Sequence, residues 1–321
     1  NFANKLWNAA RFVLGARPDS IAADAAREAP AESHLGPTER WLRSRVAATV
    51  AAADRAIGDY AFGELTRILY EAIWNEYCDW AIELAKVRLS DEAGRPEEQA
   101  ATWWTLVEAL DAYLRLLHPV MPFVTEAIWD ALPHRASDPE LLVVARWPGV
   151  GERDQAAERE VGAILDLIRS IRNARAEARV EPTATLAVDV AVPQELGHAF
   201  EALRPAIARL ARAHPLERRF TAEELDGLRE PGALTVIAGP TEAVLRPPHR
   251  SDETVRVERE RLERDLTEAE RLLDSARARL ANEQFVSKAP PAVVDGARAR
   301  EAELADQVER LRDRLRGVAE R

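Results

Sequence analysis

The sequence contains one cysteine, Cys78, and no long apolar segment. A single cysteine excludes an internal disulfide and any zinc site built from several cysteines, which favours a reducing cytoplasm. No run of about 18 apolar residues occurs, so we expect neither a membrane-spanning helix nor a membrane partner. The chain begins Asn1-Phe2-Ala3, with neither methionine nor a basic and then apolar leader. It therefore predicts no secretory signal and indicates a piece of a longer protein.

Recognisable catalytic motifs are also missing. The sequence contains neither GxGxxG nor GxxxxGK[ST], which cradle phosphates, and neither HExxH nor GxSxG, which mark metalloproteases and serine hydrolases. Six histidines are scattered along the chain, and we interpret them as ordinary loop or helix-end residues. Cys78 lies within Tyr77-Cys78-Asp79-Trp80, where we expect a buried and inert thiol. The residues alone predict no catalytic, metal or cofactor site.

The chain has few lysines and an excess of acidic side chains. It carries 55 Asp and Glu against 44 Lys and Arg, for a formal net charge of −11. Only three of the basic residues are lysines, Lys5, Lys86 and Lys288. A net negative field does not attract nucleic acid, so any such binding must come from local basic patches. Because 47% of the residues are hydrophobic, the chain can bury a sizeable core.

The largest aromatic side chains are confined to the first part of the chain. All eight tryptophans and all four tyrosines lie between Trp7 and Trp147. Because aromatic rings anchor cores, we assign residues 1–150 to one domain. Apolar residues recur there at helical spacing, and glycine and proline interrupt the pattern, which predicts a bundle of about five helices. On the first of these helices the predicted buried residues are Leu6, Trp7, Ala10 and Val13.

Residues 151–251 predict a small α+β unit that links its two neighbours. Apolar periodicity favours two helices, and alternating patterns favour three short strands. The helices are expected at about 154–179 and 196–213, and the strands at 185–192, 234–237 and 243–245.

One face of the first linker helix changes from apolar to basic along its length. The apolar part comprises Val161, Ile164, Leu165 and Ile168. The basic part comprises Arg172, Arg175 and Arg179, with Arg169 at its edge. The helix is therefore expected to leave its core and to present guanidinium groups to a partner. A phosphate backbone and the carboxylates of the neighbouring domain both suit these groups, so both alternatives stay open.

Residues 252–321 predict two heptad helices that fold back on each other. Apolar residues alternate at spacings of three and four on both sides of Lys288-Ala289-Pro290-Pro291, through which no helix can run. Two helices of ~28–30 residues would form an antiparallel coiled-coil hairpin about 40–45 Å long. Such a rod indicates an arm that reaches towards a partner, and the alternative is a dimerisation zipper in a cytoplasmic adaptor.

Several motifs resemble those of valyl-tRNA synthetases, which are class Ia aminoacyl-tRNA synthetases. The segments are NFANKLWNAARFVL from Asn1, EYCDW from Glu76, LHPVMPFVTE from Leu117, WP from Trp147, IRNARAE from Ile171 and LANEQFVSKAPPAVV from Leu280. The opening segment and FVSKAPP are the specific ones, since HPxMPFxTE fits several class Ia enzymes. The signatures HIGH and KMSKS are missing, so the resemblance is to the C-terminal part of these enzymes.

The resemblance implies a mainly α fold in three parts. These are an anticodon-binding helical bundle at 1–150, an α+β linker unit at 151–251 and an antiparallel coiled-coil tRNA-binding arm at 252–321. The parent enzyme joins valine to tRNA(Val) with ATP and magnesium in a catalytic domain, so this chain alone should hold no cofactor and should not be an enzyme. The implied partners are tRNA(Val) and the missing N-terminal catalytic and editing domains, and a monomer is expected.

The resemblance also implies which residues contact tRNA. The amide of Asn8 can match an adenine edge, and a valine anticodon has adenine at its centre; otherwise Asn8 caps a neighbouring turn. Phe12 is either a stacking ring or a core residue. The other anticodon-side candidates are Arg11, Arg40, Arg43 and Arg45, and the linker candidates are Arg169, Arg172, Arg175 and Arg179. The candidates in the coiled-coil arm are Arg277, Arg279, Lys288 and Arg298.

Overall fold

The computed structural model describes residues 1–27, 29–90, 94–230, 232–246, 252–281 and 291–319. The chain divides into two compact units, Asn1–Pro247 and Pro248–Arg321. The described residues are mainly helical, with a four-stranded sheet in the first unit, so the predicted fold class is confirmed. None of the helices in the described ranges is long and apolar enough to cross a membrane.

The first unit begins with a helical bundle, as the apolar spacing predicts. Its helices are α1 (Phe2–Gly15), α2 (Pro37–Gly58), α3 (Phe62–Tyr70), α4 (Ile82–Leu89), α5 (Pro96–Leu117) and α6 (Pro122–Trp129). A π-helical segment, Glu71–Ala81, joins α3 to α4 without a break. Proline begins α2, α5 and α6, because its ring fixes a helical φ where the backbone needs no N–H.

Aromatic side chains with satisfied polar ends hold the bundle together. Trp103 and Tyr77 are among the largest fully buried side chains. The indole Nε1 of Trp103 donates to the carbonyl of Val13 at 2.7 Å, which ties α5 to α1. The hydroxyl of Tyr77 donates to the carbonyl of Leu106 at 2.9 Å, which ties the π-helical segment to α5. These two side chains thus contribute large apolar area to the bundle core while their polar ends are hydrogen-bonded.

A small α+β part follows in the same unit. Its elements are α7 (Gln155–Glu177), β1 (Leu186–Ala191), α8 (Gly197–Ala211), β2 (Ala213–Arg219), β3 (Leu234–Ala238) and β4 (Thr241–Arg246). The strand order is β2-β1-β4-β3. β1 runs parallel to β2 and antiparallel to β4, and β3 pairs with β4 as an antiparallel hairpin. The two helices and three strands predicted for this part are all present.

The sequence did not indicate β2, because Pro215 lies within it. A proline cannot donate to a strand ladder, so sheets accept it only at edges and bulges. β2 is an edge strand of the sheet. Its register with β1 pairs Leu186 with Ala213 and Val188 with Leu216, so β2 holds one extra residue beside Pro215. The edge position and this irregularity together accommodate the proline.

One hydrophobic cluster runs through both parts of the first unit. Helix α7 packs on α2 of the bundle, on α8 and on β3. The cluster includes residues from Leu6 on α1 to Leu245 on β4. The bundle and the α+β part therefore share a continuous core across residue 150, and the boundary drawn there stays a prediction.

Where the structure describes the second unit, its helices are α9 (Asp252–Ala281) and α10 (Pro291–Ala319). Ala269, Leu273, Leu304 and Val308 form its buried apolar cluster. Arg277 pairs with Glu301 at 3.0 Å, and Arg312 pairs with Glu270 at 2.6 Å. Residue numbers thus rise along one helix as they fall along the other, which makes the pair antiparallel, as predicted. The predicted turn at 288–291 lies mostly outside the described residues.

Candidate nucleic-acid interface

Helix α1 exposes a polar face that carries two of the predicted anticodon residues. Its buried side consists of Leu6, Ala9, Ala10 and Val13. Asn4, Asn8 and Arg11 are exposed on the opposite side. Spacings of three and four place these three side chains in one row along the helix. Within the described residues, no carboxylate lies within 4.0 Å of the Arg11 guanidinium. Both Asn8 and Arg11 are therefore accessible to a ligand.

Trp7 is also accessible, which corrects its predicted place in the core. Its side chain is 44% exposed. The residue lies between the buried and exposed sides of α1, beside Asn8. The polar row of Asn4, Asn8 and Arg11 was the sequence signal that could have placed it at the surface. An exposed indole next to an amide provides a stacking surface for an unpaired base.

Phe12 lies at the edge of the core. Its ring is partly buried and packs against the main hydrophobic cluster. The Nζ of Lys86 lies 5.1 Å from the ring centroid, within the range of a cation–π contact. Lys86 also pairs with Glu83. These contacts favour the core alternative for Phe12.

The three arginines predicted near the start of α2 are all bound to carboxylates. Arg40 Nη2 lies 2.6 Å from Asp154 Oδ2, and Arg43 Nη1 lies 2.5 Å from Glu32 Oε1. Arg45 binds Glu76 at 2.8 Å and Glu158 at 3.4 Å. A phosphate at any of these arginines would have to compete with its carboxylate. Their role in tRNA contact stays a prediction.

The first two linker arginines lie against the bundle. The guanidinium carbons of Arg169 and Arg172 lie 4.8 Å and 5.6 Å from the ring of Trp80. Arg169 also pairs with Asp166 at 2.8 Å. Arg172 Nε donates to the carbonyl of Leu210 at 2.8 Å, which joins α7 to the end of α8. The basic face of α7 is thus partly used to hold neighbouring elements together.

Arg175 is buried, so the expectation that it faces outward is wrong. Its residue is 7% exposed. Its Nη2 donates to the carbonyl of Ala184 at 2.6 Å, and to that of Glu181 at 3.4 Å. The chain that connects α7 to β1 folds over this guanidinium. Burial lowers the pKa of Arg175, and the nearby charge of Arg212 lowers it further. The predicted partners were phosphate and carboxylate, whereas the observed ones are backbone carbonyls.

The last linker candidate belongs to a group of exposed arginines where α7 and α8 end. Arg179 is exposed, and so are Arg209 and Arg212 on the neighbouring helix end. Helical periodicity did not indicate Arg209 and Arg212, because it relates residues within one helix and not residues of two neighbouring helices. Only the fold brings the ends of α7 and α8 together.

The candidates of the second unit are exposed but differ in their pairing. Arg277 binds Glu301 across the hairpin, and Arg298 lies 3.6 Å from Asp295 on its own helix. Arg279 is exposed on α9. Lys288 lies outside the described residues. The described part of the arm therefore presents guanidinium groups on both helices.

Potential metal ligands and the one cysteine were the groups with chemistry to consider in the described part of the chain. No three His, Cys, Asp or Glu side chains within it are placed to hold a metal ion. Burial raises the pKa of the Cys78 thiol to about 11, against the opposing charge of Lys5. A neutral, buried thiol is a poor nucleophile.

Two family models match the chain. Residues 39–191 match the anticodon-binding domain of tRNA ligase, and residues 254–319 match the valyl tRNA synthetase tRNA binding arm. These segments include most of the bundle with α7 and β1, and nearly all of the described hairpin. The order of the two matches is that of the predicted parts.

Curated relatives extend the similarity to almost the whole chain. The valine–tRNA ligase of Dehalococcoides mccartyi strain CBDB1 is 35% identical over 322 residues, which are 97% of this chain and 34% of that protein. That of Streptomyces avermitilis is 36% identical over 321 residues, which are 98% of this chain and 33% of that protein. The chain thus spans about a third of the length of these relatives. Together with the tRNA-binding arm at 254–319, this similarity makes the chain a member of the valyl-tRNA synthetase family.

Proposed function

We propose that this chain recognises tRNA(Val) as part of a larger valine–tRNA ligase. The observation that carries the proposal is the exposure of Asn8 and Arg11 on one face of α1, beside the exposed Trp7. Helix α1 precedes the segment at 39–191 that matches an anticodon-binding domain, and the match to a tRNA-binding arm follows at 254–319.

The chemistry of α1 suits an unstacked anticodon. Single-stranded bases are recognised by stacking on aromatic rings and by hydrogen bonds to their edges. An asparagine amide can donate and accept at once, as the edge of adenine requires. In this proposal Asn8 contacts the central adenine, Trp7 offers the stacking surface and Arg11 contacts a phosphate.

The hairpin supplies a second and distant contact. At ~1.5 Å per residue, the 30 residues of α9 give a rod of about 45 Å. We assign it to the outer corner of the L-shaped tRNA. Valine activation, with ATP and magnesium, belongs to the part of the protein outside this chain. The chain itself holds no cofactor in this proposal, and the setting is the cytoplasm, where tRNA charging serves protein synthesis.

Binding to transcripts tests the proposal. We expect the chain to bind a tRNA(Val) transcript more tightly than one with a changed central anticodon base, by a factor of about 5–150. Nuclease footprinting should show protection at the anticodon loop and at the outer corner. Equal affinity for both transcripts, without protection at the loop, would contradict anticodon recognition by this chain.

The alternative is a coiled-coil adaptor that dimerises through α9 and α10. The pairs Arg277–Glu301 and Arg312–Glu270 satisfy charges within one hairpin, which favours a monomer. Light scattering separates the two functions. We expect a mass of one chain at all concentrations, and a dimer that is lost when residues 252–321 are removed would favour the adaptor.

A further inference from the structure

Two helices of the first unit end in arginines with left-handed backbone. Arg179 follows α7 with φ 52°, and Arg212 follows α8 with φ 51°. This conformation suits glycine at a helix end, because a side chain crowds the following carbonyl group. Each arginine therefore destabilises its helix end relative to glycine. Strain of this kind concentrates at functional sites.

The backbone at both helix ends is satisfied without the arginine side chains. The N–H of Arg179 donates to Ala176 at 3.0 Å and that of Val180 donates to Arg175 at 2.9 Å, which is the Schellman arrangement. The N–H of Arg212 donates to the carbonyl of Ala208, as in the simpler left-handed cap. The ends need only the backbone, so helix termination does not explain why arginine occupies either position.

The two helix ends are neighbours. Arg172 on α7 donates to the carbonyl of Leu210, between Arg209 and Arg212 on α8. The charge of Arg212 lowers the pKa of Arg175, in addition to the larger effect of burial, so these guanidinium groups lie close together. We call the exposed set Arg172, Arg179, Arg209 and Arg212 the cap patch.

The cap patch is not neutralised by carboxylates. Within the residues that the structure describes, none of its four arginines has a carboxylate oxygen within 4.0 Å. Two other arginines of the same helices are paired, since Arg169 binds Asp166 and Arg204 binds Glu201. The exposed carboxylate of Glu177 precedes Arg179 by two residues but is not paired with it. In a chain with a net charge of −11, such a cluster is a local positive surface.

We propose that the cap patch binds the sugar-phosphate backbone of tRNA, as a third contact besides α1 and the hairpin. This proposal rests on the proposed function. Guanidinium groups bind phosphate oxygens through paired N–H donors, and such contacts set orientation rather than base preference. Arg175 is a positioning residue, because its bonds to Glu181 and Ala184 hold the connection beside the patch.

Glycine substitutions separate charge from stability. In the double variant Arg179→Gly, Arg212→Gly we expect an unchanged melting temperature or a rise of up to about 4 °C, because glycine relieves the strain. We expect binding to a tRNA(Val) transcript to weaken about tenfold at low salt. The slope of log K against log salt should fall by about 0.7–0.9 for each lost phosphate contact.

Two control variants match the double variant. Tyr60 has φ 56° and ends α2 in the same Schellman arrangement, with Ala61 N–H on Ala56 at 2.7 Å. Tyr60→Gly therefore relieves a similar strain without removing a charge. Arg67 is exposed but paired with Glu64 and Glu71, so Arg67→Gln removes a neutralised charge. Both controls should bind the transcript as the unaltered chain does.

The outcomes distinguish the two proposals. If the unaltered chain binds the transcript and the double variant has the same affinity and salt slope, the proposal that the cap patch binds tRNA is wrong. The proposal that the chain recognises tRNA(Val) is then unaffected. If the unaltered chain does not bind, both are wrong. Arg209→Gln changes the charge at a helical position without altering either cap. If the glycine variant is unstable, Arg209→Gln decides. A smaller salt slope for this variant, at an unchanged melting temperature, would support binding of tRNA by the cap patch. An unchanged salt slope would contradict it.

Discussion

Asn8 is the single residue on which anticodon recognition is most directly testable. Its side chain is exposed on α1, opposite the buried Leu6 and Val13. Asn8→Ala should cost ~1–3 kcal/mol of discrimination at the central anticodon base. The unfolding free energy should hardly change, because no buried contact is lost. The measurement is the ratio of dissociation constants for transcripts with adenine or another base at that position.

Asn4 provides the matched control for Asn8. It is an exposed asparagine on the same face, one turn earlier along α1. Asn4→Ala should leave base discrimination closer to that of the unaltered chain. A lower melting temperature for Asn8→Ala with base preference intact would assign Asn8 a structural role as a cap. An equal loss of discrimination in both variants would contradict a specific role of Asn8 in reading the central base.

Cys78 should be chemically inert in the folded chain. Burial raises the pKa of its thiol to about 11, Lys5 opposes this shift and Asp79 adds to it. Because the pKa rises from 9.0 to about 11, the thiolate fraction at pH 8 is about 100-fold smaller than it would be without this shift. We expect alkylation by iodoacetamide to be slower by at least this factor in buffer than in urea. Equal rates in both solvents would show that the thiol is accessible in the folded state.

At the residue scale, the sequence predicts which helix face is buried but not where that face ends. The predicted core residues Leu6, Ala10 and Val13 are buried, whereas Trp7 is exposed. Trp7 lies at the edge of the apolar stripe, where only tertiary neighbours decide burial. The same holds for Arg175. Helical periodicity predicts the face of α7 on which this residue lies, but not that the loop after α7 covers it.

Among the elements, the junction of α2 with α7 includes one carboxylate with several polar partners. Glu158 accepts hydrogen bonds from Arg153 at 2.7 Å and Ser44 at 2.5 Å, and Arg45 lies 3.4 Å away. The bond from Arg153, then that from Ser44 and the charge of Arg45, lower the pKa of Glu158 to about 2. The unfolded chain binds this proton at a higher pH. The contribution of the Glu158 carboxylate to the unfolding free energy is therefore complete above pH ~4.5 and is lost as the pH falls towards 2.

Replacing this carboxylate should remove part of the acid sensitivity of the first unit. Glu158→Gln should lower the unfolding free energy by about 1–2 kcal/mol at pH 7, after allowance for solvent screening, and by little at pH 2.5. Urea unfolding across this pH range measures both values. Glu160→Gln, two residues along α7, is the control and should leave the pH dependence unchanged. If the unfolding free energies of Glu158→Gln and of the unaltered chain change with pH in the same way, the Glu158 carboxylate is not a source of the acid sensitivity.

Helices and hairpins were predictable as elements, but two features of the fold were not. The sequence did not predict β2, because a proline such as Pro215 is unfavourable in a strand unless that strand lies at the edge of the sheet. The π-helical geometry of Glu71–Ala81 was not predicted, because the apolar residues of this segment recur at spacings that also fit an α-helix. For β2 the deciding information is its pairing with β1, which local periodicity does not contain.

For the whole molecule, the two units have separate apolar clusters. Among the residues whose side chains the structure describes, the main cluster of the first unit reaches from Leu6 to Leu245, and the cluster of the hairpin is formed by residues of α9 and α10. Deleting residues 252–321 should therefore leave the melting temperature of the first unit almost unchanged. The affinity for tRNA(Val) should fall, because two linked contacts bind more tightly than one. A large fall in melting temperature would instead show that the hairpin stabilises the first unit.

The charge of the arm can be tested without deleting it. In the quadruple variant Arg277→Gln, Arg279→Gln, Lys288→Gln, Arg298→Gln, part of the affinity loss of the deletion should reappear. The salt slope of binding should fall by up to about one unit for each phosphate contact removed. Arg310→Gln, which removes an exposed arginine of α10 that is paired with Asp306 and lies farther along the chain from the turn, is the control. Equal affinities and slopes for the unaltered chain, the deletion and the quadruple variant would exclude the hairpin as a tRNA contact and would favour dimerisation as its role.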